Sequence, residues 1–304
     1  MPSQTTAVTT SIIVPTRNQW RLLESLVESL ARTLGPHRAE LLVIDNGSDE
    51  PATRNWLDGL PARLADAPFD AVRVIEDPSP FNYSALNNRA ARRARGRFLC
   101  FLNDDVEALG TADWLGPMLA HASDPGVGCV GAKLLYPDDT VQHAGVMLGM
   151  GRVAGHPFKG VARDAPGPGG WLTAPRRVSA VTGACLVVRR EVFEAVGGFD
   201  PGLAVAWNDV DLCLRADEAG YRCVWTPEAV LRHHESVSRR GSARRPDRAT
   251  RRRHAHEVAL MQARWGARLS SDPFLGHLPT AARRPPGSAD RRSRWPLLRS
   301  IGLS

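Results

Sequence analysis

The sequence lacks long apolar runs and contains little cysteine. No stretch reaches the roughly 18 to 20 uninterrupted apolar residues that a membrane-spanning helix needs, and residues 1–10 are polar, without the apolar segment of a secretory signal. The five cysteines, an odd number, include no Cys-x-x-Cys pair and lie mostly inside apolar runs. These features argue against a membrane-spanning protein, a disulfide framework and a zinc site. We therefore expect a soluble, cytoplasmic protein with reduced, buried cysteines.

Lysine is also scarce, since Lys133 and Lys159 are the only two in a chain whose net charge is +7. The positive charge is unevenly distributed, because the segment from Arg239 onward has 16 arginines and four acidic residues, a net +12, and the preceding part carries −5. This distribution favours a small-molecule enzyme with a basic tail over a nucleic-acid-binding domain. The tail could lie on an anionic membrane surface or remain solvated, and both interpretations stay open.

The first half of the chain alternates short apolar runs with amphipathic helical patterns, which is typical of βαβ units and a parallel sheet. The predicted strands are 11–15, 41–44, 71–75 and 98–102, and the predicted helices are 21–34, 53–64 and 84–95. The pattern then becomes mixed, with predicted strands at 127–135, 141–148, 178–188, 223–225 and 230–233 and a helix at 208–219. We predict an extension at 1–10, a domain at 11–240, and an Arg-rich helix and tail at 241–304.

Polar residues follow each strand of the predicted sheet, where ligands bind in such folds. They form the groups Pro15-Thr16-Arg17-Asn18, Asp45-Asn46-Gly47-Ser48, Glu76-Asp77 and Asn103-Asp104-Asp105. Carboxylates at the end of a buried strand would be costly to bury without a cation, so the last group is a candidate Mg²⁺ or Mn²⁺ site. Taken alone, however, an Asn-Asp-Asp run is more often a polar turn with a helix cap.

Two further groups could take part in chemistry. Asn208-Asp209-Val210-Asp211 opens a predicted helix, where a carboxylate can be either a general base facing a cleft or an ordinary acid of the first helical turn. His233-His234 ends a predicted strand and offers imidazole to a metal, although a histidine pair is more often a packing or surface feature.

The order of these groups resembles the inverting glycosyltransferases of family 2, and most closely their rhamnosyltransferase-like members. The resemblance covers residues 10–240. The matching segments are Ile13-Val14-Pro15-Thr16-Arg17-Asn18, Val43-Ile44-Asp45-Asn46-Gly47-Ser48, Phe81-Asn82-Tyr83-Ser84 with Asn87-Asn88, Phe101-Leu102-Asn103-Asp104-Asp105, Val181-Thr182-Gly183-Ala184, Gly197-Gly198-Phe199-Asp200, Asn208-Asp209-Val210-Asp211-Leu212-Cys213-Leu214-Arg215 and His233-His234-Glu235-Ser236. It implies an α/β GT-A fold, a Rossmann-like, mainly parallel sheet flanked by helices.

The resemblance also implies roles for individual residues. The nucleotide-sugar would be held by residues that follow the early strands and by the Asn-Asp pair: Pro15, Thr16, Arg17, Asp45, Asn46, Ser48, Asn88, Asn103 and Asp104. Asp105 would bind Mn²⁺ or Mg²⁺, with His233, or in second place His234, as a further ligand. Asp209 would be the catalytic base, while Asp211 would support the helix start or the acceptor. The family's Asp-x-Asp motif has Asn103 in its first position here, which weakens the expected metal affinity.

The implied activity is transfer of a sugar from dTDP-rhamnose or a UDP- or GDP-sugar to a hydroxyl of a glycan or lipid-linked acceptor, in bacterial surface-polysaccharide assembly. A peripheral location on the inner face of the plasma membrane is compatible with the basic tail. Two alternatives are an inactive binding or adaptor protein with the same fold and a sugar-1-phosphate nucleotidyltransferase, whose Gly-rich loop is missing after the first strand. Gln142-His143-Ala144-Gly145 and Gly155-His156-Pro157-Phe158 also resemble relatives, with no role beyond a part in the acceptor side.

Overall fold

The computed structural model describes residues 9–110, 112–234 and 247–274. Its first half is a parallel four-stranded sheet in the order β4-β1-β2-β3. The strands are β1 (Thr10–Thr16), β2 (Ala39–Asp45), β3 (Ala71–Glu76) and β4 (Phe98–Leu102), and the helices between them are α1 (Trp20–Thr33), α2 (Pro51–Asp58), α3 (Leu60–Arg63) and α4 (Tyr83–Arg93). The predicted α/β fold class is confirmed, and the one predicted helix at 53–64 is divided at Gly59.

Alternation of apolar side chains along the strands builds one core on each face of the sheet. In β1, Ile12 and Val14 lie in the core that includes Leu23 and Leu26 of α1, whereas Ile13 lies in the core on the other face. All three of these β1 side chains are fully buried. Successive residues of a strand point to opposite faces, so a continuous apolar run indicates a strand covered on both sides.

The second half extends the same sheet in the order β10-β12-β6-β11-β4. With β5 and β7 paired at its side, the sheet has ten strands in the described part of the chain. Strand β11 runs antiparallel to both of its neighbours, and β12 runs parallel to β6. The elements are β5 (Val106–Ala108), α5 (Leu115–Ala122), β6 (Val127–Leu135), β7 (Val141–His143), β8 (Met147–Leu148), β9 (Ala154–Gly155), β10 (Arg176–Val178), β11 (Cys185–Arg189), α6 (Arg190–Ala195), α7 (Asn208–Glu218) and β12 (Arg222–His233).

Four predicted strands of this half differ in extent from the observed ones. The run 141–148 is broken at Gly145, whose φ of +91° is incompatible with a continuing strand. The run 178–188 is divided between β10 and β11, which lie at different places in the sheet. The runs 223–225 and 230–233 form the single strand β12, whose register shifts between Thr226 and Val230.

Helix α8 (Arg248–Trp265) packs on the domain, beyond the boundary near residue 240 that the sequence predicts. Val258, Met261 and Trp265 are buried in the same core as the sheet. Asp247 begins the helix by accepting a hydrogen bond from the Thr250 N–H at 2.7 Å. The folded unit therefore includes α8. The predicted contact of the Arg-rich tail with a membrane falls largely on 275–304, which lie outside the described residues.

A buried carboxylate joins α8 to α7. Asp211 is fully buried. Its Oδ2 accepts from Arg215 Nε at 2.8 Å, and its Oδ1 accepts from Arg264 Nη1 at 2.6 Å and Trp265 Nε1 at 2.9 Å. A buried charge is tolerated when it is paired and hydrogen-bonded in this way. Asp211 thus supports the start of α7, one of the two roles predicted for it.

All five cysteines are buried and unpaired, as predicted. Three of them, Cys129, Cys213 and Cys223, have their ligating atoms within 4.8 Å of one another. Burial raises the pKa of the Cys213 thiol well above its ordinary value. Within the described ranges, no helix has both the length and the apolar character required to cross a membrane.

Removal of the Trp265 side chain tests whether α8 belongs to the folded unit. Trp265→Ala leaves a cavity in the core and takes one donor from Asp211, so the free energy of unfolding should fall by about 3 to 5 kcal/mol. Urea denaturation measures this change. Arg252→Ala, at an exposed position of the same helix, should change it by less than about 0.5 kcal/mol. Equal stability of the two variants would show that α8 is not part of the cooperative fold.

Candidate active site

A cleft of about 570 Å³ opens at the carboxyl ends of β1 and β4 and extends to α7 and the end of β12. Nine of the residues predicted for the site line it: Pro15, Thr16, Arg17, Asn46, Asn103, Asp104, Asp105, Asp209 and His233. Residues far apart in the chain meet here because strands β1 and β4 are neighbours and run in the same direction.

The side of the cleft next to β1 and β2 carries polar groups suited to a nucleotide. Thr16 donates from its hydroxyl to Asp104 Oδ2 at 2.8 Å. Asn46 is buried, and its side-chain NH₂ donates to the carbonyls of Asp77 and Ser79, each at 2.8 Å. The Asn46 Oδ1 has no hydrogen-bond partner among the residues that the structure describes. An unpaired buried acceptor beside a cleft can receive a donor group of a ligand.

Asp45 and Ser48 shape the turn after β2 and do not line the cleft. Asp45 Oδ1 accepts from the Ser48 N–H at 2.9 Å and from the Ser48 hydroxyl at 2.5 Å. Gly47 between them has a φ of +67°, which favours glycine. The predicted contacts of Asp45 and Ser48 with the nucleotide-sugar are therefore not supported by this arrangement, because they are engaged with each other.

Asn88, which is predicted on the donor side, does not line the cleft in this structure. Its amide donates to the Phe199 carbonyl at 2.7 Å and accepts from the Phe199 N–H at 2.9 Å. Nearby, Ser84 donates to the Leu203 carbonyl at 2.6 Å. These side chains attach α4 to the segment that precedes α7. A motif in sequence does not distinguish such backbone anchoring from ligand contact.

Two adjacent carboxyl groups meet at the end of β4. Burial raises the pKa of Asp104 to about 7, the Thr16 hydroxyl opposes this shift, and the neighbouring Asp105 carboxylate adds to it. Asp105 is itself buried. A positive charge placed beside such a pair would favour its ionised form, so the pair is suited to a cation.

His233 supplies a nitrogen to this carboxylate pair in an orientation set by Gln142. Gln142 Nε2 donates to the His233 carbonyl at 3.3 Å, so its Oε1 is left to accept from His233 Nδ1 at 2.7 Å. The other ring nitrogen, Nε2, lies 3.0 Å from Asp105 Oδ1 and 3.4 Å from Asn103 Nδ2. With the proton on Nδ1, Nε2 is an acceptor, which receives the Asn103 amide here and can instead bind a metal ion.

This donor set fits a divalent metal ion. With His233 neutral, Nε2 and the Asp105 oxygen are both acceptors, and a cation between them removes their repulsion. A metal-binding histidine commonly donates its second ring N–H to a neighbouring acceptor, as His233 does to Gln142. Imidazole and carboxylate together suit Mn²⁺, and carboxylate alone suits Mg²⁺.

The side chain of His234, the second choice for this metal ligand, does not line the cleft. Its Nε2 lies 3.1 Å from Glu107 Oε2, outside the cleft. Only its backbone N–H reaches the site, donating to the Asp105 carbonyl at 2.9 Å. Neighbouring residues at the end of a strand point to opposite sides, so His233 and His234 could not both face one ion without a bend.

Asp209 lies in the same cleft at the start of α7. Its Oδ2 accepts from the Gly183 N–H and its Oδ1 from the Val210 N–H, both at 2.8 Å. Burial raises the pKa of this carboxyl above its ordinary value, although these backbone bonds oppose the shift. The Thr182 side chain and the Asp209 N–H also bond to this carboxylate and oppose the rise of its pKa. Asp209 is therefore a fixed proton acceptor with increased basicity.

Several cleft residues had no assigned role in the sequence interpretation. They are Gln142, His143, His156, Lys159 and Thr182. The two histidine-containing segments were recognised as family-like, but the partnership of Gln142 with His233 and of His143 with His156 depends on tertiary structure. For Lys159, the signal in the sequence that could have drawn attention to it was the scarcity of lysine.

The sequence is similar to known glycosyltransferases. The model of glycosyl transferase family 2 matches residues 11–197, and that of glycosyl transferase family group 2 matches 169–278. The chain is 46% identical to the uncharacterized protein y4gI of Sinorhizobium fredii, over 86% of this chain and 28% of that protein. It is 44% identical to the O-antigen biosynthesis protein RfbC of Myxococcus xanthus, over 77% of this chain and 18% of that protein. The chain thus spans less than a third of either relative.

A shorter relative and two solved structures extend this similarity. The N-acetylglucosaminyl-diphospho-decaprenol L-rhamnosyltransferase of Mycobacterium tuberculosis is 32% identical, over 65% of this chain and 67% of that protein. GalNAc-T7, solved with UDP, GalNAc and Mn²⁺, has a TM-score of 0.61 at 19% identity, covering 75% of this chain and 44% of its own. A Pyrobaculum calidifontis mannosyltransferase, solved with GDP-Man and Mn²⁺, has a TM-score of 0.56 at 19% identity, covering 86% and 76%. The structures establish the GT-A fold.

The orientation of His233 by Gln142 can be tested through metal affinity. Gln142→Ala removes the acceptor for the Nδ1 proton, so Mn²⁺ affinity measured in the presence of UDP should fall about 10- to 100-fold. Calorimetric titration gives the dissociation constants. His234→Ala is the matched control and should bind Mn²⁺ as the parent protein does. If His234→Ala lost affinity and Gln142→Ala did not, the assignment of the two histidines would be reversed.

Proposed function

This chain belongs to glycosyl transferase family 2, and from that premise we propose that it transfers a sugar from a nucleoside-diphosphate donor to a hydroxyl of an acceptor, with inversion at the anomeric carbon. The observation that carries the proposal is a single cleft containing a fixed, desolvated carboxylate, Asp209, together with the Asp105–His233 pair. An inverting transfer needs one base and one site of negative-charge stabilisation, and it needs no second catalytic carboxylate.

Asp209 acts as the general base in this proposal. Its carboxylate removes the proton of the acceptor hydroxyl as that oxygen attacks the anomeric carbon, and the bond to the nucleoside diphosphate breaks on the opposite face. The Gly183 and Val210 N–H groups hold the carboxylate in position during the transfer. Because burial raises the pKa of Asp209, the carboxylate accepts the proton more readily than an exposed one would.

Asp105 and His233 would hold the divalent metal ion, with Gln142 orienting the imidazole. When bound, the ion stabilises the negative charge that develops on the departing diphosphate. Asn103 would hydrogen-bond the ribose or complete the site weakly, since an amide has no charge. Thr16, Arg17 and Asn46 would contact the nucleoside, and the unpaired Oδ1 of Asn46 suits an N–H group of a base.

The named relatives support a narrower form of the proposal. One is an O-antigen biosynthesis protein and another transfers rhamnose to a lipid-linked diphospho-sugar, by their names. We propose a donor among dTDP-rhamnose and the UDP- and GDP-sugars, and a glycan or lipid-linked acceptor in surface-polysaccharide assembly. Since the chain spans less than a third of the longest relatives, those proteins contain further sequence beside the transferase segment.

A donor panel tests the activity directly. Release of nucleoside diphosphate from each nucleotide-sugar is measured with Mn²⁺ or Mg²⁺, with EDTA, and with candidate acceptors. Asp209→Asn, a nearly isosteric change, should lower kcat about 10²- to 10⁴-fold. One of the two backbone N–H groups then faces an amide NH₂ in place of a carboxylate oxygen, so thermal stability is measured beside kcat, and donor affinity should remain close to that of the parent protein.

The outcomes separate the proposal from its alternatives. Metal-dependent release from one donor, lost in Asp105→Ala, identifies the class and the donor. Nearly full turnover of Asp209→Asn would remove Asp209 as the base. Failure of the protein to bind any nucleotide even with metal would favour the inactive adaptor interpretation.

The raised pKa of Asp209 predicts the acid side of the pH profile. The base is active when deprotonated, so activity falls as the pH drops through its pKa, which lies above the ordinary carboxyl value of 3.8. The profile of kcat/KM for the parent protein should therefore begin to fall at a higher pH than an unperturbed carboxyl would give. An acid limb at or below 3.8 would contradict the assignment.

A further inference from the structure

A turn at residues 156–160 presents His156 and Lys159 at the cleft. Phe158 lies between them with a φ of +65°, a conformation that side chains other than glycine rarely adopt. Its ring is buried and packs on Trp171 with the ring centroids 5.9 Å apart. The Gly160 N–H donates to the Val141 carbonyl at 2.8 Å, which attaches the turn to β7. Packing thus holds a strained turn in place, and such strain concentrates at functional sites.

A hydrogen-bonded chain fixes the proton positions of two histidines in this region. The Thr182 N–H donates to His143 Nε2 at 3.5 Å, so a neutral His143 carries its proton on Nδ1. His143 Nδ1 lies 2.8 Å from His156 Nδ1, which must then accept. His156 therefore carries its proton on Nε2, for which no partner is found among the described residues. The chain leaves one N–H donor available at the cleft.

Both histidines are uncharged at neutral pH. Burial lowers the pKa of His143 well below its ordinary value, and burial together with the Lys159 charge lowers the pKa of His156 to about 3. The Nε2–H of His156 therefore remains a hydrogen-bond donor throughout the physiological pH range.

Lys159 supplies a positive charge without a protein counter-ion. No carboxylate of the described part of the chain lies within salt-bridge distance of it, and it is half-buried at the cleft. The other lysine, Lys133, is engaged, since its Nζ donates to the Arg163 carbonyl at 2.6 Å. A partly desolvated ammonium facing a cleft is stabilised by an anion.

The position of this pair relates it to the acceptor. Thr182, which bonds to His143, is adjacent to Gly183, which bonds to the proposed base Asp209. The donor diphosphate would lie at Asp105 and His233. We propose that His156 and Lys159 bind an oxyanion of the acceptor, a phosphate or a carboxylate group, and so position its hydroxyl at Asp209. This inference rests on the proposed function, because it assigns the acceptor half of the same cleft.

Calorimetric titration of small anions tests the subsite with the donor half filled. The full chain is saturated with UDP or dTDP and Mg²⁺ and titrated with methyl phosphate, methyl glucuronide and the neutral methyl glucoside. Both anions, or one of them, should bind and the neutral sugar should bind more weakly. The stronger anion distinguishes a phosphate-bearing from a carboxylate-bearing acceptor.

Matched variants identify the residues responsible. Lys159→Gln should weaken anion binding about tenfold or more, and Lys159→Arg should largely restore it. Arg152→Gln removes one exposed positive charge from the neighbouring β8–β9 turn and should have no effect. His156→Phe should weaken the binding, whereas His156→Gln, which keeps an N–H donor, should retain most of it.

Three results would overturn the subsite. The first is that the parent protein binds no anion, and the second is that Lys159→Gln binds the anion as tightly as the parent does. The third is that Lys159→Gln loses as much affinity for the nucleotide as for the anion, which would assign Lys159 to the donor diphosphate. If no nucleotide bound to the parent protein, the proposed function would fail separately, and the anion titration without nucleotide would still decide the subsite.

Discussion

The arrangement of the cleft depends on the hydrogen bonds that the buried carboxylate of Asp211 accepts. It receives hydrogen bonds from Arg215 in its own helix and from Arg264 and Trp265 of α8. Asp209, two residues earlier, lies in the cleft. The start of α7 therefore carries two carboxylates with different tasks, one that holds the helix to the core and one that remains available to a substrate. Their separation follows from helix geometry, since residues two apart do not share a face.

Helix α8 also fixes the loop that leads into α7. Glu257 of α8 accepts from the Val205 N–H at 2.8 Å, and His254 packs on Trp207 with ring centroids 4.9 Å apart. Trp207 has a φ of +57°, a strained conformation for a residue of its size. Contacts from α8 offset this strain, so residues nearly 50 positions further along the chain help to hold the loop that precedes Asp209.

Much of the fold and part of the site could be predicted from the sequence. Apolar runs such as 98–102 and the helices between them gave the parallel half of the sheet, and the polar groups after β1 and β4 met as that topology requires. Thr16, Asp105, Asp209 and His233 reached one cleft. The directions of the side chains could not be predicted from the sequence. A turn motif does not reveal that Asp45 is hydrogen-bonded to Ser48 or Asn88 to Phe199. The docking of α8 could not be predicted either, since the helix has only a short apolar run, Val258-Ala259-Leu260-Met261, beside five arginines.

The position of α8 separates two boundaries that are often treated as one. The similarity to glycosyl transferase family group 2 extends to residue 278, whereas every side chain that we propose to touch the donor, the metal or the acceptor lies before residue 240. A chain shortened there would lose no reactive group, yet Asp211 would become a buried charge with only Arg215 beside it. The stretch of chain that contains the proposed site and the stretch whose contacts stabilise that site are different lengths of this polypeptide, and the longer one includes α8.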